Sequence, residues 1–382
     1  MTEFAKAYDR EAALRFPLLP SAHDVTVWRY IFDWTVAGEA LHCTPGDLVL
    51  EFGSGTSYAS EFLNRVGYRT VALDLDLEML SIARERMGLD SRLTPQRASY
   101  ATGDGQCLPF ADASFDGVIC LNALHHMPDY TAALSEIRRI LKPGARATFS
   151  EPGSRHADSP ESRLAREQFG AVEKSVFLDE IYRIARNSGF ETMYVKPQVY
   201  PDMIQLDYGK LNRYRFNLST APYTRPDQIA RFLEESHSVF ILQVPGQSAR
   251  TSRRPGVLRA GISVGVLPAQ VRPGQELAVH AVVTNTGDTL WLAKPREFGG
   301  FVTLGVKLCQ ADGRLLSDSL GRTPLAHDVA AGEKIEVACI FSLPSALLPG
   351  DYLLRIDMVD EQVAWFEQHR SPVVEHRFVV PA

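Results

Sequence analysis

The residues with the clearest chemistry form a glycine-rich turn between an apolar run and a helical pattern. Residues 47–52 are typical of a buried strand, and Gly53, Ser54 and Gly55 follow directly. Closely spaced glycines let the backbone approach a ligand without an intervening Cβ, and the N-terminus of the next helix offers free N–H groups. Asp74 ends the next apolar run, and an ionised carboxylate can accept hydrogen bonds from both hydroxyls of a ribose. This arrangement predicts a site for a nucleotide-like cofactor.

A dinucleotide such as NAD fits this turn less well. The dinucleotide fingerprint needs a further glycine where helix and strand pack tightly around the pyrophosphate. Tyr58 occupies that position in this chain. The pattern therefore favours a different nucleotide-like cofactor.

Five short motifs follow one another from the turn onwards. They are EFGSG at 51–55, LDLDLEML at 73–80, GDGQCLPF at 103–110, DASFDGV and LNALHHMPD within 112–129, and EIRRILKPG at 136–144. In these motifs and their order, residues about 45–155 resemble the class I S-adenosylmethionine-dependent methyltransferases, especially the subgroup that acts on small molecules. In one departure, Ser57 stands where the family has another glycine, and this residue is predicted to serve as the N-cap of the next helix.

The resemblance implies S-adenosylmethionine as the cofactor and names the residues that would hold it. Glu51 and the backbone of Gly53 and Gly55 would face the methionine moiety, and Asp74 would bind the ribose. The other expected cofactor contacts are Ser54, Leu75, Gly103, Asp104 beside the adenine amino group, and Asn122 near the sulfonium.

Histidines and a glutamate follow the fourth and fifth predicted strands, where open α/β sheets bind ligands. Methyl transfer depends mainly on positioning, but a hydroxyl acceptor benefits from a base. We expect that base among His125, His126 and Glu151, with His156 as a further candidate; a purely structural role for the histidine pair is the alternative. No metal ligands are predicted.

A helical insert at about 202–236 is the candidate acceptor site. Tyr208, Tyr214 and Tyr223 lie there among several arginines. Aromatic faces and arginine forks suit a sugar or a phosphorylated acceptor, so these three tyrosines are predicted to bind substrate.

Two domains are expected from the change in hydrophobic periodicity. β-rich runs alternate with helical patterns up to about residue 245, which predicts an α/β fold; with the resemblance, this becomes a Rossmann-like seven-stranded methyltransferase sheet with flanking helices, residues 1–250. An arginine-rich linker at 251–260 follows. Period-two alternation over 261–382 predicts an all-β domain, which resembles the immunoglobulin-like β-sandwich of bacterial surface-polysaccharide enzymes.

Three aromatic residues of the second domain could take part in binding. Trp291, Trp365 and Phe366 are candidates for stacking on sugar rings. The alternative is that they fill the core of the sandwich. We expect this domain to dock either a glycan or a protein, and a homodimer is a further expectation.

Composition narrows the partners and the compartment. Lys plus Arg number 40 and Asp plus Glu 46, for a net charge of −6, so no overall positive field attracts nucleic acid. Five cysteines without a CxxC pair predict neither a disulfide framework nor a zinc knuckle. No run approaches the ~20 apolar residues that a membrane span needs. We expect a cytoplasmic protein without membrane insertion.

The main hypothesis is a bacterial S-adenosylmethionine-dependent methyltransferase that O-methylates a sugar-containing acceptor in surface glycan biosynthesis. One alternative is a methyltransferase for a lipid, a quinone or a small secondary metabolite. Another is a protein that binds S-adenosylmethionine as a scaffold in a polysaccharide-assembly complex, without turnover.

Overall fold

The computed structural model describes residues 10–18, 26–94, 97–197, 235, 237–295 and 298–382. The chain divides into two compact units, Met1–Ser248 and Ala249–Ala382. Tyr208, Tyr214 and Tyr223, with nearly all of the insert predicted at 202–236, lie outside the described residues.

The first unit alternates helices and strands. Its helices are α1 Arg10–Arg15, α2 Thr26–Ala40, α3 Tyr58–Arg65, α4 Leu77–Leu89, α5 Tyr130–Ile140, α6 Pro160–Phe169 and α7 Leu178–Asn187. Its strands are β1 Leu48–Phe52, β2 Arg69–Asp74, β3 Ala98–Thr102, β4 Phe115–Leu121, β5 Leu141–Glu151, β6 Thr192–Pro197 and β7 Ser238–Gln243. β1 lies within residues 47–52, where the sequence predicted a buried strand.

The seven strands form one sheet in the order β3-β2-β1-β4-β5-β7-β6. The first five pair in parallel, and β7 runs antiparallel to both β5 and β6. The predicted Rossmann-like sheet is confirmed. Because β1 through β5 are parallel, the loops after β1, β2, β4 and β5 leave the same edge, and the strand order reverses between β1 and β4. Ligands of open α/β sheets bind at such a switch point.

The central strands are apolar because they are covered on both faces. In β4, Val118, Ile119 and Cys120 are fully buried. The helix after it starts where Asp129 accepts a hydrogen bond from the Thr131 N–H at 2.7 Å, a typical N-cap. Among the described residues, no helix is long and apolar enough to cross a membrane.

The second unit consists of antiparallel sheets. Its strands are β8 Ala260–Val264, β9 Glu276–Asn285, β10 Val302–Gln310, β11 Leu315–Pro324, β12 Lys334–Ser342, β13 Gly350–Asp360, β14 Ala364–Trp365 and β15 Val374–Val380. One sheet has the order β11-β10-β13-β14 with β15 also on β13, and the other has the order β12-β9-β8. Buried residues from both sheets form one hydrophobic core. The period-two pattern therefore predicted this region correctly as all-β.

Two of the three aromatic residues proposed for sugar stacking belong to that core. Trp291 and Phe366 are fully buried and contact each other edge to face, with ring centroids 5.3 Å apart. Their burial excludes stacking on a sugar, so this prediction is wrong for both. The alternative, a role in the core, is correct.

The stretch 251–260 is packed rather than free. Ser252 and Leu258 are fully buried, and the Ser252 N–H donates to the Leu290 carbonyl at 3.0 Å. These residues belong to the second unit, so the stretch predicted as a linker is part of that unit. The arginines of this stretch suggested that it is exposed, but small and apolar residues between them, such as Ser252 and Leu258, are buried in the second unit.

A buried carboxyl group ends β13. Asp360 is fully buried, and neither side-chain oxygen has a hydrogen-bond partner. Burial, together with the nearby charge of Glu361, raises the pKa of Asp360 to about 8. The folded protein therefore holds this proton more tightly than the unfolded chain, and the associated stability is lost as pH rises from about 4 to about 8.

Asp360→Asn is expected to stabilise the second unit by an amount that grows with pH, because the carboxyl that it replaces ionises at lower pH in the unfolded chain than in the folded protein, whereas Asn stays neutral in both. At pH 8.5 we expect a gain of about 1–3 kcal/mol, and a smaller one at pH 5. Urea unfolding at both pH values measures it, with Asp318→Asn, at an exposed position of β11, as the control. An equal effect at both pH values would contradict the assignment.

Candidate functional site

The turn after β1 has a backbone that only particular residues adopt easily. The φ angles are 63° at Gly53, 50° at Gly55 and 58° at Ser57. A Cβ on Gly53 would lie 2.4 Å from the Cβ of Ala123 in the loop after β4, whereas a Cβ on Gly55 would meet nothing within 4 Å. Gly53 is therefore required by packing between two loops, and Gly55 faces open space at the switch point.

Ser57 does not cap the helix with its side chain. It occupies the N-cap position of α3, but its hydroxyl makes no capping hydrogen bond. The buried carboxylate of Glu51 takes that place, accepting from the Ser60 N–H at 2.9 Å and the Ala59 N–H at 3.3 Å. Ser57 is thus the N-cap residue, as predicted, but its side chain does not cap, because the left-handed backbone there turns the residue away from a normal cap geometry.

Glu51 is an internal residue and not an open ligand. Glu51 is only 3% exposed. Burial raises the pKa of its carboxyl to about 7 despite the hydrogen bonds from Ser60 and Ala59. The contact of Glu51 with a methionine moiety stays a prediction. Glu51 instead holds the N-terminus of α3 beneath the glycine turn.

Asp74 at the end of β2 supports the glycine turn, and its carboxylate can accept further hydrogen bonds. One oxygen accepts from the Gly55 N–H at 2.7 Å and the other from the Asp76 N–H at 2.9 Å. Burial raises its pKa, although these N–H groups lower it in part. A carboxylate has about four acceptor positions, so two remain for a diol. Leu75 beside it is 62% exposed, an apolar surface next to those acceptors.

Asp104 also lies at this edge of the sheet, after β3. It is exposed, and its Oδ1 accepts from the Gln106 N–H at 2.9 Å. Gly103 before it packs closely, since a Cβ there would be 3.2 Å from Leu73 and Pro109. The carboxylate is therefore held by its own turn and remains open to a donor such as an amino group.

Buried donors without partners mark the space at the switch point. Asn122 follows β4 with φ 54°, and its N–H donates to the Ser150 carbonyl at 2.8 Å. Its Nδ2 is buried without a hydrogen-bond partner, as are the hydroxyls of Ser54 and Ser57. An unpaired buried polar group costs about 1–3 kcal/mol, which a ligand with hydroxyl and carboxylate oxygens would recover. The residues present thus fit S-adenosylmethionine.

A second group of polar residues lies after β4 and β5, around the carboxylate of Glu151. One oxygen accepts from the Ala123 and Leu124 N–H groups at 3.0 and 2.8 Å. The other lies 2.7 Å from His125 Nδ1 and accepts from the His125 N–H at 3.3 Å. Glu151 is 1% exposed, so it cannot reach a substrate. The prediction of Glu151 as a base in contact with substrate is wrong; it positions His125.

Glu173 joins this cluster and was missed from the sequence. Its carboxylate lies 2.8 Å from His156 Nε2, 3.6 Å from His126 Nδ1 and 3.8 Å from His125 Nε2. The His125 ring centroid is 3.9 Å from that of His126 and 4.7 Å from that of His156. The three predicted histidines therefore meet around one carboxylate. No sequence pattern singled out Glu173, because it lies in an irregular segment between α6 and α7.

The charges of the cluster act on one another. Burial would raise the pKa of Glu151, but the hydrogen bond and charge of His125 lower it overall. Burial would also raise the pKa of Glu173. The hydrogen bond from His156 and the charges of His126 and His125 outweigh this effect, so the pKa of Glu173 is lowered. Burial and neighbouring His125 lower the pKa of His126. Both carboxylates are thus ionised at neutral pH.

Comparisons with known proteins agree with this geometry. Residues 50–149 match the family described as "Methyltransferase domain". The chain is 36% identical over 137 residues to demethylmenaquinone methyltransferase of Thermobifida fusca, covering 36% of this chain and 56% of the relative. It is 39% identical over 117 residues to malonyl-[acyl-carrier protein] O-methyltransferase of Erwinia pyrifoliae, covering 30% of this chain and 42% of the relative. The chain spans about half the length of these relatives.

Solved structures also resemble this chain. Phosphoethanolamine N-methyltransferase 2 of Haemonchus contortus, in complex with S-adenosylmethionine, matches with 18% identity and a TM-score of 0.45, covering 64% of this chain and 60% of that one. The family match confirms the predicted methyltransferase domain and its cofactor, S-adenosylmethionine.

Two glycine substitutions in the turn should differ in effect. Gly53→Ala adds a clash with Ala123 to the cost of a positive φ, whereas Gly55→Ala adds only the backbone cost. Overpacking costs about 1–3 kcal/mol, so we expect Gly53→Ala to lower the free energy of unfolding by that much more. Urea denaturation measures both. Equal destabilisation would show that the contact between the two loops carries no strain.

Proposed function

Because residues 50–149 match a methyltransferase domain, we propose that this chain transfers the methyl group of S-adenosylmethionine to a small organic acceptor of the quinone type. The relatives support this choice: several are named demethylmenaquinone methyltransferases, and another is named for a malonyl-carrier acceptor. None of these names refers to a glycan. The main sequence hypothesis, a sugar-containing acceptor, therefore gives way to its alternative.

The arrangement at the switch point carries the proposal. Asp74 and the Gly53–Ser57 turn are joined by the 2.7 Å hydrogen bond from the Gly55 N–H, and the buried donors of Ser54, Ser57 and Asn122 have no other partners. Acceptors for a ribose and donors for a carboxylate thus lie at one edge of the sheet. This combination suits a nucleoside that carries an amino acid.

The cofactor supplies a methyl group on a positively charged sulfur, which a nucleophile attacks in line. The chain's own residues bind and orient the two molecules, which is the main requirement of such a displacement. Asp74 and Asp104 would hold the nucleoside, and Asn122 would orient the end that carries the sulfur. Acidic groups at this edge also suit the positive charge of the cofactor.

The acceptor would lie beside His125, after β4. Glu151 holds the proton on His125 Nδ1 at 2.7 Å, because a carboxylate only accepts. The direction of the His125 ring is therefore fixed by a buried partner. Its side chain is 6% exposed, so His126, 38% exposed, would be the histidine that meets the acceptor, and Glu151 would position the pair through His125.

For the second unit we propose an immunoglobulin-like sandwich that docks a protein. Trp365 is the third aromatic residue once considered for sugar stacking, and Lys307 Nζ and Arg322 Cζ already lie 3.8 and 4.1 Å from its ring centroid. Two cations over this ring oppose stacking on a sugar. A cytoplasmic location and a homodimer remain predictions.

Release of S-adenosylhomocysteine by the full chain tests the function. We expect turnover with a demethylated quinone or a related small phenol, and none with nucleotide sugars, because the supporting relatives act on small or carrier-bound molecules. Turnover with nucleotide sugars alone would restore the glycan hypothesis. Binding of S-adenosylmethionine without turnover on any acceptor would favour the scaffold alternative and contradict the proposal.

Asp74→Asn should weaken S-adenosylmethionine binding by about 10-fold to 100-fold, as expected when a charged hydrogen-bond acceptor worth ~1.5–3 kcal/mol is lost. Calorimetric titration measures the dissociation constant. Asp112→Asn is the matched control, because it removes the same charge from a side chain that is 78% exposed and paired with Arg139. Equal affinity in the two variants would refute the assignment of Asp74.

A further inference from the structure

We propose that His125, His126 and Glu173 bind a divalent transition metal ion, with Zn²⁺ as the ion that the ligand set suits best. Each residue offers one ligand atom, and the three atoms lie within 4.8 Å of one another. Two imidazole nitrogens and one carboxylate are a common protein ligand set for zinc, which leaves a further position open. The proposal concerns the same edge of the sheet as the proposed function, but metal binding itself does not depend on that function.

The first argument is the tautomer of His125. Its Nδ1 lies 2.7 Å from a Glu151 oxygen that also accepts the His125 N–H. An oxygen in that role cannot donate, so Nδ1 carries a proton, and Nε2 is the ring nitrogen that faces Glu173, 3.8 Å from its Oε2. A histidine that donates its other N–H to a buried carboxylate is the usual arrangement around a ligating imidazole.

The same reasoning applies independently to His126. Its Nδ1 lies 2.7 Å from the Val172 carbonyl oxygen, which can only accept. The Nδ1 of His126 is therefore a donor, and the Val172 carbonyl together with Glu173 Oε1, 3.6 Å from the same nitrogen, fixes the direction of the ring. Two adjacent histidines are thus oriented by partners from two different segments.

The carboxylate of Glu173 is held in one orientation by neighbouring side chains, as the carboxylate of a metal ligand usually is. Its Oε2 accepts from His156 Nε2 at 2.8 Å and from the Ser162 hydroxyl at 3.4 Å. Its side chain is only 8% exposed. The carboxylate is held by groups outside the triad, which makes His156 and Ser162 positioning residues.

The remaining distance leaves room for a cation between these groups. His125 Nε2 and Glu173 Oε2 are 3.8 Å apart, too far for a hydrogen bond. Two ligands at 2.0–2.1 Å from a tetrahedral zinc ion are about 3.3 Å apart, so a small movement of the Glu173 side chain would complete the site.

The position of the triad suggests what the metal does. His125 and His126 follow Asn122 and Ala123, and Ala123 borders the glycine turn. A metal ion held there would polarise an acceptor oxygen beside the cofactor site. This consequence rests on the proposed function.

Metal binding is tested on the full chain after removal of metals with a chelator. Added Co²⁺ should bind with one equivalent per chain and give the visible d–d absorption of a four-coordinate ion, and Zn²⁺ should displace it. Glu173→Gln should weaken Co²⁺ binding by more than 10-fold, because it removes the one charged ligand. Glu167→Gln, at an exposed position of α6, is the control. His126→Gln, whose side chain is 38% exposed, provides a second test if Glu173→Gln does not fold.

The outcomes test the metal site and the proposed function separately. No Co²⁺ or Zn²⁺ binding by the wild-type chain, or equal binding by Glu173→Gln and Glu167→Gln, would overturn the metal site. If the metal binds and no acceptor is methylated, the proposed function fails while the metal site stands. If the protein binds no metal after chelation and still transfers methyl groups fully, the metal site fails while the proposed function stands.

Discussion

The buried carboxylate of Glu151 is the interaction on which the site depends. It ends β5 and accepts hydrogen bonds from three consecutive N–H groups after β4, as well as from the His125 ring. Leaving this charge without those donors would be costly in a buried position. The loop after β4 is therefore held in one conformation, which directs Asn122 towards the cofactor side and His125 towards Glu173.

The cofactor side depends on a second buried carboxylate. Glu51 satisfies the N-terminus of α3 from below, which leaves the glycine turn free to face a ligand. The turn then meets the loop after β4 through Gly53 and Ala123. Through these contacts, two internal glutamates on parallel strands position residues that belong to both halves of the candidate site.

The two units differ in how they use buried polar groups. In the first, carboxylates such as Glu151 and Glu51 are surrounded by donors from neighbouring loops. In the second, Asp360 is buried without a partner and holds its proton to about pH 8. The second unit is otherwise organised around an apolar core that contains Trp291 and Phe366, and its largest aromatic side chains serve stability.

The sequence alone determined what depends on neighbours along the chain. The apolar run, the glycine turn and the helix after it predicted β1 and the turn correctly, and period-two alternation predicted the all-β region, because periodicity reflects which faces are covered. Five ordered motifs identified the domain. In contrast, only the tertiary structure placed Glu173 beside His125 and His126, buried Trp291 and gave Glu51 and Glu151 their supporting roles. These outcomes depend on contacts between residues far apart in the chain, and no local pattern encodes which side chains will meet.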